Sequence, residues 1–319
     1  MKRHIIYDVS IIMPAYNSGK LLTEAVNSCL DTDGVSVQVI VVDDGGSDGS
    51  IETVENSHPD LMIVRGAHRG ASAARNQGLA LASGRFIKFL DSDDLLAPGA
   101  LKAQVVAIDR SGADVVYGDF EFTGNMDDPR IGGEPFRGTG EVEDVIDALL
   151  GDWWCANFCY LYRREAIAGL FWDEHLGCLQ DFAFILNVAL RGGAFLHQPG
   201  VTGYYRMHGG QITNSSMEKY AVNRSKILGD TLVILNGLGQ LTSRRRMLIA
   251  HGYWSAARAF YRFDRTRFDE AVADVYRLEP GFSPKFWAPP TVRILTAIFG
   301  IRRAERMLGL RRNIVKALK

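Results

Sequence analysis

Short runs of β-branched and apolar residues alternate with helix-length segments through the first third of the chain. Val9–Met13 reads as a strand stopped by Pro14, and Lys20–Leu30 as a helix. Val37–Val42 is a second strand, closed by Asp43-Asp44-Gly45-Gly46, and Ser50–Asn56 a short helix. Leu61–Val64 and Arg85–Leu90 read as third and fourth strands around an Ala-rich helix, Ala71–Ala82. Pro98–Arg110 is a helix with proline in its first turn, and Asp114–Tyr117 another strand. Alternation of this kind predicts βαβ units and a mostly parallel sheet. The continuous apolar character of the strands predicts a sheet covered on both faces.

The pattern then changes. Phe120 to Gly140 is rich in Gly, Pro and Asp and reads as a loop. Glu141 to Tyr205 mixes helices with an aromatic-rich strand, Cys155–Tyr162, and from about Tyr220 the chain is helical. His251 to Pro280 reads as one helix–turn–helix unit with Ala257, Phe260, Ala271, Val275 and Leu278 as packing positions. A solenoid needs several such units; with no second copy, this one is a helical appendage. A chain of 319 residues suits one large or two ordinary domains.

Met1 to Val9 holds no long apolar stretch of the signal-peptide kind. No segment reaches the roughly 18 apolar residues of a membrane-spanning helix; the nearest, Phe286 to Gly300, is broken by Pro289, Pro290 and Arg293. Cys29, Cys155, Cys159 and Cys178 form neither a disulfide framework nor a metal-ligand pattern, so reduced thiols and a cytoplasmic location are expected. The net charge of −1 hides an asymmetry. Gln240 to Lys319 carries 17 basic and 6 acidic residues, and the remainder 19 and 31. A basic tail on an acidic body points to an anionic surface as its partner.

The polar residues of greatest interest fall at strand ends. Asp43 and Asp44 follow the second strand, and Asp91, Asp93 and Asp94 the fourth. Ligands of open parallel sheets bind outside the carboxyl ends of the strands, so both clusters are expected at one edge. Asp91-Ser92-Asp93 is a DxD arrangement. Two carboxylates two residues apart suit one hard divalent cation, Mg²⁺ or Mn²⁺, shared with substrate phosphates. The competing reading is helix capping near Pro98.

Four segments carry a specific resemblance: Val9-Ser10-Ile11-Ile12-Met13-Pro14-Ala15-Tyr16-Asn17, Val41-Val42-Asp43-Asp44-Gly45-Gly46-Ser47-Asp48, Ala74-Arg75-Asn76-Gln77-Gly78, and Phe89-Leu90-Asp91-Ser92-Asp93-Asp94. In this order and spacing the chain resembles the inverting, nucleotide-sugar-dependent family 2 glycosyltransferases of the GT-A fold. Leu179-Gln180-Asp181-Phe182 is similar to the family's acidic catalytic motif, and Tyr205-Arg206-Met207-His208 to its C-terminal YRxH-like motif. The resemblance runs from about Val9 to Ile212.

It implies a division of labour. With Pro14 and Asn17 of the same run as further nucleotide-sugar-binding residues, Tyr16 stacks on the nucleotide base. Asp44 accepts a hydrogen bond from it, which favours a UDP- or dTDP-type donor. Arg75 approaches the pyrophosphate. Asp91 lies near the ribose with Ser92 beside it, and Asp93 binds the metal, with His208 reaching the diphosphate or metal. Asp181 is the general base that takes the acceptor hydroxyl proton; Gln180 stands where many relatives carry an acidic residue. Trp153, Trp154 and Trp172 flank the acceptor side. Residues 1–219 are then the catalytic domain, with a nucleotide-sugar half to about 118 and an acceptor half from 119. Residues 220–319 are a helical extension.

The partners implied are a nucleotide-sugar donor and a saccharide or lipid-linked acceptor, in cell-surface polysaccharide synthesis, and not nucleic acid. Alternatives are a metal-dependent phosphohydrolase, which leaves the Pro14–Asn17, Asp43-Asp44 and Arg75-Asn76 segments unexplained, and a non-catalytic nucleotide-sugar binder. An absent GxGxxG after the first strand disfavours a dehydrogenase. In the tail, Ile294, Leu295, Ile298, Phe299 and Ile301 offer an apolar surface. Seven basic residues, Arg302, Arg303, Arg306, Arg311, Arg312, Lys316 and Lys319, surround it against Glu305 alone. Peripheral contact with the inner membrane face, packing on the catalytic domain and a homodimer contact all fit this pattern.

Overall fold

β1 (Val9–Ala15) and β2 (Val37–Asp43) are buried along nearly their whole length, as strands covered by helices on both faces must be. They run parallel, Val9 opposite Val37 and Ala15 opposite Asp43. The computed structural model describes residues 7–32, 34–124, 137–138, 140–207, 217–284 and 288–317. In it, β3 (Met62–Arg65) joins β2 and β4 (Phe86–Phe89) joins β1, both in parallel. The crossovers carry α1 (Lys20–Leu30), α2 (Ser50–Ser57) and α3 (Ala71–Leu81). α1 buries Leu22, Ala25, Val26 and Cys29, the spacing that puts residues on one helical face. α3 lies close on the sheet because position 78 is glycine: a Cβ there would come within 2.5 Å of Ile12 Cγ2.

Beyond β4 the sheet becomes mixed. β8 (Tyr160–Arg163) is antiparallel to β4 and to β6 (Val115–Gly124). β9 (Phe195–Met207) runs parallel to β6 and carries the two-residue β5 (Leu95–Leu96) on its other side. Among the described residues the order is β3-β2-β1-β4-β8-β6-β9-β5, with β7 (Arg137–Gly138) paired to β6. Helices α4 (Ala100–Ser111), α5 (Val145–Leu150) and α6 (Gln180–Leu190) complete this part. The expected α/β class with a mostly parallel sheet is observed.

Three element boundaries differ from expectation, each for a local reason. Pro14 does not stop β1; it sits opposite Val42 within the strand. The β1–β4 pairing ends at Ile12 and Phe89, so on that side no ladder partner needs the missing proline N–H. β6 continues through Phe120 to Gly124 instead of giving way to loop, since β9 supplies partners as far as Met207. A bulge at Tyr117–Asp119 absorbs Gly118, where a Cβ would strike Thr202 Oγ1 at 2.2 Å. The segment Cys155–Tyr162 is strand only from Tyr160; Asn157–Cys159 forms a 3₁₀ turn.

The chain divides into two compact units, Met1–Leu176 with Gln180–Ile212, and Gly177–Leu179 with Thr213–Lys319. The second is helical. α7 (Met217–Gly237) and α9 (Arg265–Leu278) both pack on α8 (Ser243–Phe260), and α10 (Pro290–Ala317) packs on α9. Thr242 and Asp264 cap α8 and α9 by accepting from the backbone N–H three residues on. Ala257, Phe260, Ala271, Val275 and Leu278 are all buried, as their spacing requires. α10 is broken at Gly300, whose φ of 73° is open to glycine and strained for other residues.

Candidate active site

β1, β2 and β4 are parallel neighbours, so Tyr16 and Asn17, Asp43 and Asp44, and Asp91 to Asp94 all emerge at one edge of the sheet. That is the edge at which ligands of such sheets bind.

At one end of this edge the Tyr16 ring is half exposed and lies against His68, with centroids 4.5 Å apart. Asp44 is buried beneath them. Its Oδ1 accepts from Arg69 N at 2.7 Å and its Oδ2 from Gly70 N at 2.8 Å, while its carbonyl contacts His68 Nδ1 at 3.1 Å. Each oxygen keeps a second lone pair. Asp43 organises the adjoining turn, accepting from Gly45 N and Gly46 N. Asn17 adopts φ 49° and accepts from Ser47 N at 2.7 Å, tying the end of β1 to the turn after β2.

At the centre stands Arg75, from the middle of α3. Its side chain is 5% exposed and faces three carboxylates. Nη2 donates to Asp91 Oδ1 at 2.5 Å, and Nη1 lies 3.7 Å from Asp181 Oδ1. The guanidinium sits 4.5 Å above the Trp172 ring, which itself stacks on Phe184 at 4.4 Å. Burial opposes the charge, but Asp91, Asp181 and Asp93 outweigh it and hold Arg75 protonated. Asp181 occupies the first turn of α6. Its side chain is 39% exposed, yet Oδ1 is buried and accepts no hydrogen bond among the described residues. Burial pushes its carboxyl up to about 6, with Arg75 pulling down and Asp91 pushing up. Such a group is charged at neutral pH but holds its proton far more readily than an ordinary aspartate.

At the other end the turn Asp91-Ser92-Asp93-Asp94 is pinned from three sides. Ser92 Oγ meets Ser18 Oγ at 2.7 Å. Asp94 is buried, accepts from Arg206 N at 3.0 Å, and is pushed well above the usual carboxylate range by burial and by Asp93 and Asp91. The Arg206 side chain, from the end of β9, donates to the Asp93 carbonyl, the Glu24 carboxylate and the Leu21 carbonyl. Among the described residues no group of three His, Cys, Asp or Glu is placed to hold a metal. Asp93, one residue beyond Ser92 in this turn, offers hard oxygen donors of the kind Mg²⁺ and Mn²⁺ prefer, while Asp91 is bonded to Arg75. His208 lies outside the described residues.

The structure thus brings Asp91, Arg75 and Asp181 together, with Ser92 and Asp93 in the same turn and Tyr16, Asn17 and Asp44 along the same strand edge; Pro14 lies within β1. Trp172 is 2% exposed and serves as the floor under Arg75, not as a surface for a sugar. Asn76 holds that floor in place, donating to Trp172 O at 3.0 Å and accepting from Trp172 N at 2.8 Å. Arg206 and Asn76 lie inside motifs singled out from the sequence. Their positioning role rests on contacts 113 and 96 residues away, which spacing does not display.

A mostly parallel sheet with a DxD turn, a buried arginine and an acidic helix start at its carboxyl edge defines a GT-A glycosyltransferase. The model of the family described as "Glycosyl transferase family 2" matches residues 10–171, and the chain belongs to that family. It is 28% identical over 262 residues to the succinoglycan biosynthesis protein ExoO of Rhizobium meliloti, covering 75% of this chain and 73% of that one. Over 121 residues, 37% of this chain and 48% of the relative, it is 35% identical to WfgD of Escherichia coli. That protein is named a UDP-Glc:alpha-D-GlcNAc-diphosphoundecaprenol beta-1,3-glucosyltransferase. Among solved structures, S. aureus TarS 1-349 in complex with UDP-GlcNAc matches with a TM-score of 0.66, 19% identity and coverage of 95% and 92%. The mannosyltransferase PcManGT from Pyrobaculum calidifontis, in complex with GDP-Man and Mn²⁺, matches at 0.56 and 16%, covering 96% and 88%. At these identities the structural matches speak for the fold.

Proposed function

We propose that this glycosyltransferase moves a sugar with inversion from a UDP- or dTDP-type donor to a hydroxyl of a saccharide or lipid-linked acceptor, in the synthesis of cell-surface polysaccharide. The observation that carries the reading is the placement of Arg75 between Asp91 and Asp181. It puts a fixed positive charge, suited to a leaving diphosphate, beside a carboxylate suited to take a proton. The names of ExoO and WfgD support the polysaccharide setting and a lipid diphosphate acceptor.

In this reading the base of the donor lies on Tyr16 and donates to a free lone pair of Asp44. Asp91 faces the ribose, and Asp93, with His208, holds a divalent cation. When bound, that cation neutralises charge on the diphosphate. Arg75 stabilises the same charge from the protein side, and being already ordered by Asp91 it needs no rearrangement to do so. Asp181 accepts the acceptor hydroxyl proton as the sugar carbon is attacked from the face opposite the leaving group. Its raised proton affinity suits this role near neutral pH. Catalysis belongs to residues 1–219, and residues 220–319 form a helical extension.

We further propose that α10 rests reversibly on an anionic membrane face. Ile294, Ile298 and Phe299 are exposed on the segment before Gly300, and Arg302, Arg303 and Arg306 are exposed after it. None of the described helices is long and apolar enough to cross a membrane. Calorimetry with UDP, dTDP and GDP, with and without Mn²⁺, tests the donor assignment: tight, metal-dependent binding of a uracil or thymine nucleotide is expected, and a preference for GDP overturns it.

A further inference from the structure

One aromatic group near the site is left unused by the donor chemistry. Trp154 follows α5 and is 45% exposed, although three other rings hold it. Phe120, fully buried, packs edge-on beneath it at 4.9 Å. Phe122 lies nearly parallel at 6.4 Å, and Tyr205 meets it edge-on at 5.8 Å. Phe122 and Tyr205 also pack on each other at 5.4 Å, as cross-strand neighbours of β6 and β9. An indole fixed by three rings has little freedom to fold away from water, so its exposed face is a preformed surface.

The position of this surface is set by two connections. Tyr205 immediately precedes Arg206, whose side chain grips the carbonyl of Asp93. α5 packs against α6, whose first turn carries Asp181. Tyr205 and Arg206 face opposite sides of the sheet, but as neighbours on β9 they place the ring cluster at the same strand end as the DxD turn, while the α5–α6 pair links it to the element that carries Asp181. The size of this surface is equally informative. Phe122 and Tyr205 are part-buried, so among the described residues Trp154 is the exposed ring of this cluster. An alkyl chain or a protein partner wants a larger contiguous apolar area. A pyranose ring, with one apolar C–H face and a polar rim, matches it, because aromatic side chains accept flat apolar faces while leaving the polar edges wet.

Resting on the glycosyltransferase reading above, we propose that Trp154 is the stacking platform for the acceptor, and that the acceptor presents a sugar ring there. Trp172 and Trp153 do not share this role. The first is buried, and the second is packed edge-on against Tyr117 with centroids 5.5 Å apart.

The test compares the full-length wild type with Trp154→Ala and Trp154→Tyr, all checked for an unchanged melting temperature. Saturation-transfer NMR is run with a panel of methyl glycosides of glucose, galactose, mannose and N-acetylglucosamine, in the presence of UDP and Mn²⁺. Calorimetry of UDP binding is run in parallel. At least one glycoside is expected to receive saturation through its ring C–H protons in the wild type. Trp154→Ala should weaken its binding by roughly tenfold and Trp154→Tyr by much less, with UDP affinity the same in all three. Undiminished glycoside binding by Trp154→Ala overturns the proposal, as does absence of binding to every glycoside by a wild type that binds UDP. Failure of the wild type to bind any nucleotide overturns the glycosyltransferase reading itself, and the platform with it.

Discussion

Arg75 donates to Asp91 from one terminal nitrogen and holds the other 3.7 Å from Asp181, so a single buried guanidinium joins the DxD turn to the first turn of α6. In the proposed reaction that side chain would couple donor and acceptor chemistry. A change at Arg75 reaches both, whereas a change at either carboxylate reaches mainly one.

Asp181→Asn keeps the size of the side chain and removes its ability to take a proton. kcat is expected to fall by roughly 10²–10⁴. UDP affinity, measured by calorimetry, should change little, because the proposed role of the residue lies on the acceptor side. Near-native turnover in this variant removes Asp181 from the role of base.

The pH dependence has a definite sign. Asp181 acts as base only when deprotonated, and burial has pushed its carboxyl up to about 6. Turnover should therefore rise with pH through about 6, well above the limb near 4 of an unperturbed aspartate. The effect on stability runs the other way. A carboxyl whose folded pKa exceeds its unfolded value favours folding more as pH falls from about 6 toward 3.8. A pH–kcat profile with its acid limb near 4 contradicts this environment for Asp181.

Arg75→Lys retains charge but not the fork that reaches two carboxylates, nor the flat face over Trp172. It should weaken UDP binding about tenfold or more and lower kcat together with it. Arg75→Ala additionally leaves Asp91 and Asp181 without their cation. Both partners keep contact with water, so the loss of stability should fall toward the lower end of the roughly 3–5 kcal/mol typical of broken buried pairs. Urea denaturation of both variants measures it.

These couplings separate what the chain displays in order from what folding adds. The strands carrying Tyr16, Asp44 and Asp91 were legible because apolar runs of strand length end in polar residues. The rule that ligands bind beyond the carboxyl ends of parallel strands then places all three at one edge. The continuation of β1 through Pro14 was not legible, because it depends on where the β4 pairing stops. Trp172 illustrates the same limit. A tryptophan near an acceptor site reads equally well as a platform or as a core residue, and the parallel Phe184 ring beneath it decides the matter.

Arg206 makes a prediction about the metal. Its guanidinium binds the Asp93 carbonyl, Glu24 and the Leu21 carbonyl, while its own N–H binds Asp94. Arg206→Ala should loosen the turn without removing either DxD carboxylate. The Mn²⁺ concentration that half-saturates UDP binding should rise about tenfold, with a smaller effect on kcat at saturating Mn²⁺. Asp93→Ala should abolish metal-dependent binding altogether, and EDTA should do so in the native enzyme. Equal Mn²⁺ titration curves for Arg206→Ala and wild type rule out the positioning role.

The helical unit yields the last prediction. Of the five apolar residues expected to form a surface on the tail, Ile301 is 1% exposed and packs inside the unit, while Ile294, Ile298 and Phe299 are 57%, 65% and 42% exposed. Glu305 is buried and bonded to Arg258, so it does not offset the neighbouring arginines at the surface. Arg302 is paired with Asp269, and Arg303 and Arg306 are exposed beside it; the side chains from 310 onward lie outside the described residues. Burying three such apolar side chains in a lipid interface is worth roughly 1.5–3 kcal/mol each at most, and each nearby basic residue adds about 1 kcal/mol. Deleting the chain after Ser283 is a poor test, since it removes Ile301, Ala304 and Glu305 from the packed interior. The combined variant Ile294→Ser, Ile298→Ser, Phe299→Ser touches only exposed positions and should keep the wild-type melting temperature. In flotation with anionic vesicles at low salt the wild type should rise with the lipid, and the variant should stay at the bottom. Raising the salt should release the wild type, because the arginine contribution is screened over about 10 Å at 0.1 M. Identical flotation of the two proteins, or binding indifferent to salt, removes the membrane from the function of α10.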